Sequence, residues 1–311
     1  MIISASRRSD IPAFYLDWFL GRLREGYVLS RNPMNPRQVS RINLEADAVD
    51  CIVFWSKNPA PLLERLEAFA PIPYYVQFTI NPYGPELEGN LPDKETLVGT
   101  FRRLADALGP ERVVWRYSPV IIHEKYGEAF HLDFFARLAE KLRGFTMKCN
   151  LGFLDIYAKI KKNMARLGIV DTPEEVKTRM AAEMSRIAAG EGMALGACGN
   201  IDLDAANIPP ARCIDAALIE RLIGRPLRAK KDPGQRNDCY CTLSADVGSY
   251  NTCPHECRYC YANYSPDTAR KRLARHDTAS PMLCDALRPD DVVTDRKDPS
   301  KRKGGHMPTL F

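Results

Sequence analysis

Short apolar runs with strand character recur along the chain, at Ile2 to Ser6, Cys51 to Trp55, Tyr74 to Thr79, Arg112 to Tyr117, Thr146 to Phe153 and Met193 to Ala197. Between them the apolar positions switch to helical spacing. Leu97, Phe101, Leu104 and Leu108 share one face of a segment that Asp93 can N-cap and Gly109 can stop. Thr172 is placed to N-cap another helix, with Pro173 at its first position, Glu175 closing a capping box, and Val176, Met180 and Ile187 on one face. Phe134, Phe135, Leu138 and Leu142 mark a further apolar face. Strands alternating with helices predict a parallel sheet with crossover connections, and six or more such units favour a barrel over an open sheet. The expected fold is therefore α/β, a (β/α) barrel of the TIM-barrel type, complete or incomplete.

In such a barrel the chemistry gathers beyond the carboxyl ends of the strands. Those positions are polar here. Ser6, Arg7, Arg8, Ser9 and Asp10 follow the first run, Ser56, Lys57 and Asn58 the second, and Gln77, Thr79, Arg116 and Asp155 close later ones. Capping explains some of them, since Ser9 or Asp10 before Pro12 is a good N-cap. Arg7, Asp10, Lys57 and Arg116 are the candidate catalytic residues of the mouth.

At 311 residues, 45% hydrophobic and 27% charged, the chain has room for one barrel-sized unit with an appendage and the composition of a soluble globular protein. Its short apolar start is followed by Arg7 and Arg8, the reverse of a signal peptide, and no stretch approaches a membrane span. A cytoplasmic location without a membrane partner is expected. From Thr268 onward ten Lys and Arg stand against six Asp, so most of the net charge of +5 belongs to the end of the chain. Such a tail permits nucleic-acid contact without demanding it. The expected organisation is a barrel body over 1–197, a Cys-rich segment closing the barrel over 198–267, and a basic, loosely ordered tail over 268–311.

The ten cysteines sharpen this picture. Without an export signal they point to metal ligation or catalysis rather than disulfides, because the cytosol keeps thiols reduced. Cys51 and Cys149 lie inside apolar runs and read as small buried hydrophobes. Cys253, Cys257 and Cys260 fall at CxxxCxxC spacing, with Tyr259 directly before the last. A structural zinc site wants four closed ligands, whereas a four-iron cubane held by three thiolates leaves one iron free for a further ligand.

This triplet with its aromatic resembles the signature of the radical S-adenosylmethionine (SAM) superfamily. Over nearly its full length the chain resembles the bacterial family called domain of unknown function 1848 (DUF1848), whose members carry the triplet near the C-terminus. The resemblance implies a [4Fe–4S] cluster on Cys253, Cys257 and Cys260, and SAM bound through its amino and carboxylate groups to the free iron. It further implies reductive cleavage to a 5′-deoxyadenosyl radical and an electron donor of the flavodoxin or ferredoxin type. Tyr259, Asn58 and Gln77 are the candidate SAM contacts. The superfamily normally places its triplet after the first barrel strand, so the fold is expected to be circularly permuted, with the run from Leu243 to Tyr250 beside Ile2 to Ser6. The substrate is not legible, and nucleic acid is one candidate.

Cys198, Cys213, Cys239 and Cys241 have the count for a second, closed site holding an iron–sulfur cluster or zinc. Against it stands the simpler reading of Cys198 and Cys213 as ordinary small residues of a strand end and a helix start. None of the five histidines pairs with another at ligand spacing. His131 reads as a helix-surface residue and His255 as a loop residue with a backbone or solvent role. The end, His306 to Phe311, resembles the peptides with which bacterial repair proteins grip the sliding clamp, without the expected leading glutamine; a loose apolar end accounts for it as well. Two other function classes stay open: a non-catalytic zinc-binding module associated with nucleic acid, and a barrel hydrolase or lyase working through Arg7, Asp10, Lys57 and Asp155.

Overall fold

A computed structural model describes residues 1–199 and 201–297. Ten strands run in chain order as β1 (Ile2–Ala5), β2 (Tyr27–Arg31), β3 (Gln38–Asn43), β4 (Cys51–Ser56), β5 (Tyr74–Thr79), β6 (Val113–Val120), β7 (Lys148–Phe153), β8 (Ala194–Ala197), β9 (Ala245–Asp246) and β10 (Val292–Asp295). All six apolar runs of the sequence become strands of one sheet. It has seven strands in the order β8-β7-β6-β5-β4-β1-β9, every adjacent pair parallel. The fold is α/β with a parallel sheet, and β8 and β9 occupy its two edges. The C-terminal strand β9 pairs with β1 through Ile3 and Ala245, which puts the cysteine triplet beside the mouth of the first strand.

Period-two alternation divides the sheet between two cores. Ile3, Phe54, Val76, Phe78, Trp115 and Tyr117 point to the face covered by the long helices, where Trp115 stacks on Phe135 with ring centroids 4.7 Å apart. Full burial of each such side chain contributes about 2–3 kcal/mol. Ile2, Cys51, Val53, Trp55, Tyr75 and Val114 point to the other face, which is covered by Cys213, Ile214 and the helix Ala216–Ile223 together with Cys241. Segment 213–241 therefore lies against the inner face of the sheet, and this is what brings distant cysteines near the strand ends.

The helix Lys94–Leu108 has Asp93 as N-cap, accepting from Thr96 N, and Gly109 as C-cap, as the sequence predicts. The helix Glu174–Gly190 departs from expectation: Pro173 takes the N-cap and no side chain caps it. Thr172 is instead buried, so packing overrides its local preference. His131 is also corrected. It is fully buried, with Tyr117 OH at 2.8 Å and Ile121 O at 3.0 Å on its two ring nitrogens.

A second sheet, β10-β3-β2, was not foreseen. Its strands are short and polar, and β10 is exposed along its whole length, so hydrophobic alternation barely marks them. The segment read as a loose tail is held through Lys297. Trp18 Nε1 donates to Ser280 O at 2.8 Å, Arg31 pairs with Asp285 at 2.6 Å and with Asp291, and β10 lies parallel to β3. The apolar end His306 to Phe311 lies outside the described residues. No described helix is long and apolar enough to cross a membrane.

Burial holds His131 down at about 4, against the opposing pull of the Ile121 carbonyl. Its unfolded counterpart takes up a proton near pH 6.5, so the folded state binds fewer protons as pH falls. Stability is expected to be full above about pH 6.5 and to drop by up to about 3 kcal/mol towards about pH 4. Urea denaturation across this range checks it, with His131→Gln losing that component; a wild-type profile that stays flat would contradict the assignment.

Candidate functional site

The triplet lies on a loop over the carboxyl ends of β1, β4 and β5, and three sets of hydrogen bonds hold it there. The turn is internal first: Cys260 N donates to Cys257 O at 3.1 Å, Cys253 N donates to Asn263 Oδ1 at 3.2 Å, and Asn263 Nδ2 reaches Cys260 Sγ at 3.5 Å. The loop after β5 is then laced to it. Asn90 N and Nδ2 donate to His255 O and Pro254 O, both at 3.0 Å, and Arg258 N donates to Leu87 O at 2.9 Å.

The third set centres on Asp10. Its carboxylate is buried and accepts four hydrogen bonds: Oδ1 from Ser56 Oγ at 2.7 Å and Ala13 N at 3.0 Å, Oδ2 from Lys57 N at 2.8 Å and His255 Nε2 at 2.7 Å. Burial alone would raise its pKa, but the hydrogen bond and charge of His255, with Lys57 N and Ser56, bring it below the ordinary range. His255 Nδ1 faces Asn90 O at 3.0 Å. Both ring nitrogens meet acceptors, so both bonds form only when both carry hydrogen. Asp10 is thus the N-cap the sequence suggested and also the anchor of the triplet loop, while His255 is a strut between Asp10 and Asn90.

Beside the triplet sits Glu88, which the sequence analysis missed. Its side chain is 1% exposed and pairs with Lys57 Nζ at 2.7 Å and Lys94 Nζ at 3.0 Å. Asn81 Nδ2 at 3.2 Å and the Tyr259 hydroxyl complete its shell. Burial raises its pKa, and the two lysines more than offset this, holding it at about 2. Position was the available signal, since Glu88 lies in the loop after a strand end. Burial likewise pushes the Cys253 and Cys257 thiols above the ordinary range, with Lys57 opposing it at Cys257.

The remaining candidates are gathered unevenly. Lys57 stands at the triplet, its ammonium 5.6 Å from the Tyr259 ring centroid. Tyr259 is buried among Tyr83, Leu87 and Ile121, under the loop rather than open above it. Asn58 Oδ1 accepts from Ala60 N at 3.4 Å just before the helix Ala60–Leu63. Gln77 is spent inside the sheet, its Nε2 donating to Cys213 O at 2.9 Å and its Oε1 accepting from Asn150 at 3.2 Å. Of these candidate SAM contacts, Gln77 is therefore engaged at both ends of its amide. Arg7 and Arg116 flank the Trp55 ring, their guanidinium carbons 5.2 and 5.0 Å from its centroid. Asp155 is paired with Arg236. With Asp10 saturated and Asp155 paired, the general-base arrangement needed by a barrel hydrolase is not assembled.

The second set of cysteines converges on the inner face. Cys213 and Cys241 are buried in one cluster, with Cys198 and Cys239 packed against it. Among the described residues, no three His, Cys, Asp or Glu side chains are grouped so that they could hold a metal ion as they stand. A separate cavity, lined by Met1, Asp50, Thr242 and Arg296, lies at the amino ends of the strands.

Residues 2–262 match the family described as Domain of unknown function (DUF1848). The chain belongs to the DUF1848 family. No curated protein matches it. The matched span of this DUF1848 chain takes in both cysteine sets and stops just past Cys260, leaving the second sheet's β10 outside.

Asp10→Asn keeps the shape of the anchor but replaces two acceptor positions with donors. The DUF1848 chain is expected to lose about 2–4 kcal/mol by urea denaturation, more than the roughly 1 kcal/mol of a lost N-cap. Amide hydrogen exchange over 253–258 should accelerate with it. A loss confined to cap size, with exchange unchanged, would remove Asp10 from the anchoring role.

Proposed function

We propose that this DUF1848 chain is a radical SAM enzyme that holds a [4Fe–4S] cluster on Cys253, Cys257 and Cys260. The observation that carries the reading is the number of donors the loop offers. His255 and Glu256, the other ligand types within the turn, are committed to Asp10 and Asn90 and to Arg270 respectively, so the loop presents three ligands rather than four. Three thiolates leave a cubane one open iron, which is what SAM requires. Cys253 and Cys257 also fit the group chemically: partly buried and with raised pKa, they would yield their protons only to a strong Lewis acid. We read the seven-stranded sheet as an incomplete barrel, permuted so that its last strand precedes the triplet.

Bound there, the cluster supplies an electron to SAM and so yields a 5′-deoxyadenosyl radical that abstracts hydrogen from substrate. The chain's own residues do the rest. Asp10, Asn90 and Asn263 fix the loop, Glu88 and Lys57 place a paired charge beside Cys257, and Tyr259 seals the apolar floor against water. A flavodoxin- or ferredoxin-type protein is the proposed electron donor. The substrate, with nucleic acid as one candidate, is open.

Anaerobically reconstituted and dithionite-reduced protein is expected to convert SAM to 5′-deoxyadenosine and methionine, read by chromatography. Cys257→Ala should abolish this while leaving the far-ultraviolet circular dichroism unchanged. Release of 5′-deoxyadenosine at the same rate by folded Cys257→Ala protein would refute the proposal, as would its absence from a wild type carrying a full complement of iron and sulfide.

A further inference from the structure

Arg116 is a cation in an unusual place. It rises from the inner face of β6, stacked on Trp55, and among the described residues it has no carboxylate partner. Its hydrogen bonds are to neutral groups, Thr79 Oγ1 at 3.3 Å and Ser118 Oγ at 3.5 Å, with Cys213 and Cys198 in electrostatic reach. Its Nε is shut off from solvent with no partner at all, and so is Nη2 of Arg7. Arg7 has Asp232 at 3.7 Å and faces Cys241. Neutral thiols do not compensate the Arg116 guanidinium, because desolvating a cation is costly unless an anion balances it. Between them the two arginines face three of the four cysteines, Arg116 facing Cys198 and Cys213 and Arg7 facing Cys241.

We infer that Cys198, Cys213, Cys239 and Cys241 form a second metal centre, a closed tetrathiolate site for a single zinc ion, distinct from the triplet. A divalent ion with four thiolates carries two negative charges, which Arg7 and Arg116 balance. Further donors already point at the sulfurs, with Asn150 Nδ2 3.9 Å from Cys213 Sγ. The backbone on either side is fixed. Tyr75 OH and Gln77 Nε2 donate to Cys213 O at 2.7 and 2.9 Å, Cys198 N donates to Leu151 O at 2.8 Å, and Asp232 N donates to Cys241 O at 3.0 Å. Four thiols close a tetrahedral site around a single ion, whereas three leave a cubane its open iron. Closing the site takes a turn of the thiols between staggered rotamers. Zinc there clamps segment 198–241 onto the inner face of the sheet and leaves no open position for catalysis.

The test is the metal content of the full chain purified anaerobically from zinc-supplemented cells, as wild type, as a Cys253, Cys257 and Cys260 triple alanine variant, and as Cys198→Ser with Cys241→Ser. One zinc per chain is expected in the first two and none in the third, with the visible bands of a tetrahedral cobalt thiolate when cobalt is substituted. Zinc unaffected by the serine changes, or absent throughout, overturns the inference; so does iron in place of zinc in the triple alanine variant. That variant separates the two readings, since it removes the proposed cluster and leaves the quartet intact. Should the serine variant not fold, alkylation of the wild type decides. The four cysteines should resist labelling until a chelator strips the zinc and then react together; labelling at equal rates with and without chelator overturns the inference. Arg116→Met should lose zinc to a competing chelator about tenfold more readily, and Arg116→Lys should restore retention.

Discussion

The buried carboxylate of Asp10 is the joint on which the site depends. It lies at the end of the first strand, yet it receives hydrogen bonds from the end of the neighbouring strand, through Ser56 and Lys57, and from His255 in the C-terminal triplet loop. Parallel pairing of β1 with β9 brings those distant parts of the chain together, and the carboxylate fixes how they meet. A charged group in such a place is stable only because every lone pair finds a donor.

Charge pairing organises the rest of the inner face. Glu88 is compensated by Lys57 and Lys94, and Asp246 by Ser4, Ser6 and the backbone N of Arg7. Arg116 is the exception, facing sulfur instead of a carboxylate. The same rule that explains the satisfied groups therefore points, among the described residues, to an anion beside Arg116. Two cysteine sets in different surroundings, one against paired carboxylate and lysine and the other against arginine, underlie the two metal sites proposed.

Much of this was legible in the residues. The six apolar runs, the capping by Asp10 and Asp93, and the placing of the last strand beside the first follow from periodicity and local chemistry, and the triplet announces itself by spacing. The second sheet was not legible, since β10 is four exposed residues with no buried face to pattern. Nor was the burial of His131, which shares a helix with exposed neighbours and is drawn in by Tyr117 and Ile121. Glu88 was missed because a lone carboxylate in a loop carries no spacing signal. Gln77 looked like a mouth residue from its position at a strand end, but its hydrogen bonds are taken up within the protein.

The measurement that tests the account most directly is low-temperature electron paramagnetic resonance of the reconstituted, reduced chain with and without SAM. The account predicts a cubane signal that SAM perturbs, because the cofactor must reach the one iron that Cys253, Cys257 and Cys260 leave open. A cluster signal indifferent to SAM, or no reducible cluster in protein whose triplet thiols are intact, would contradict it.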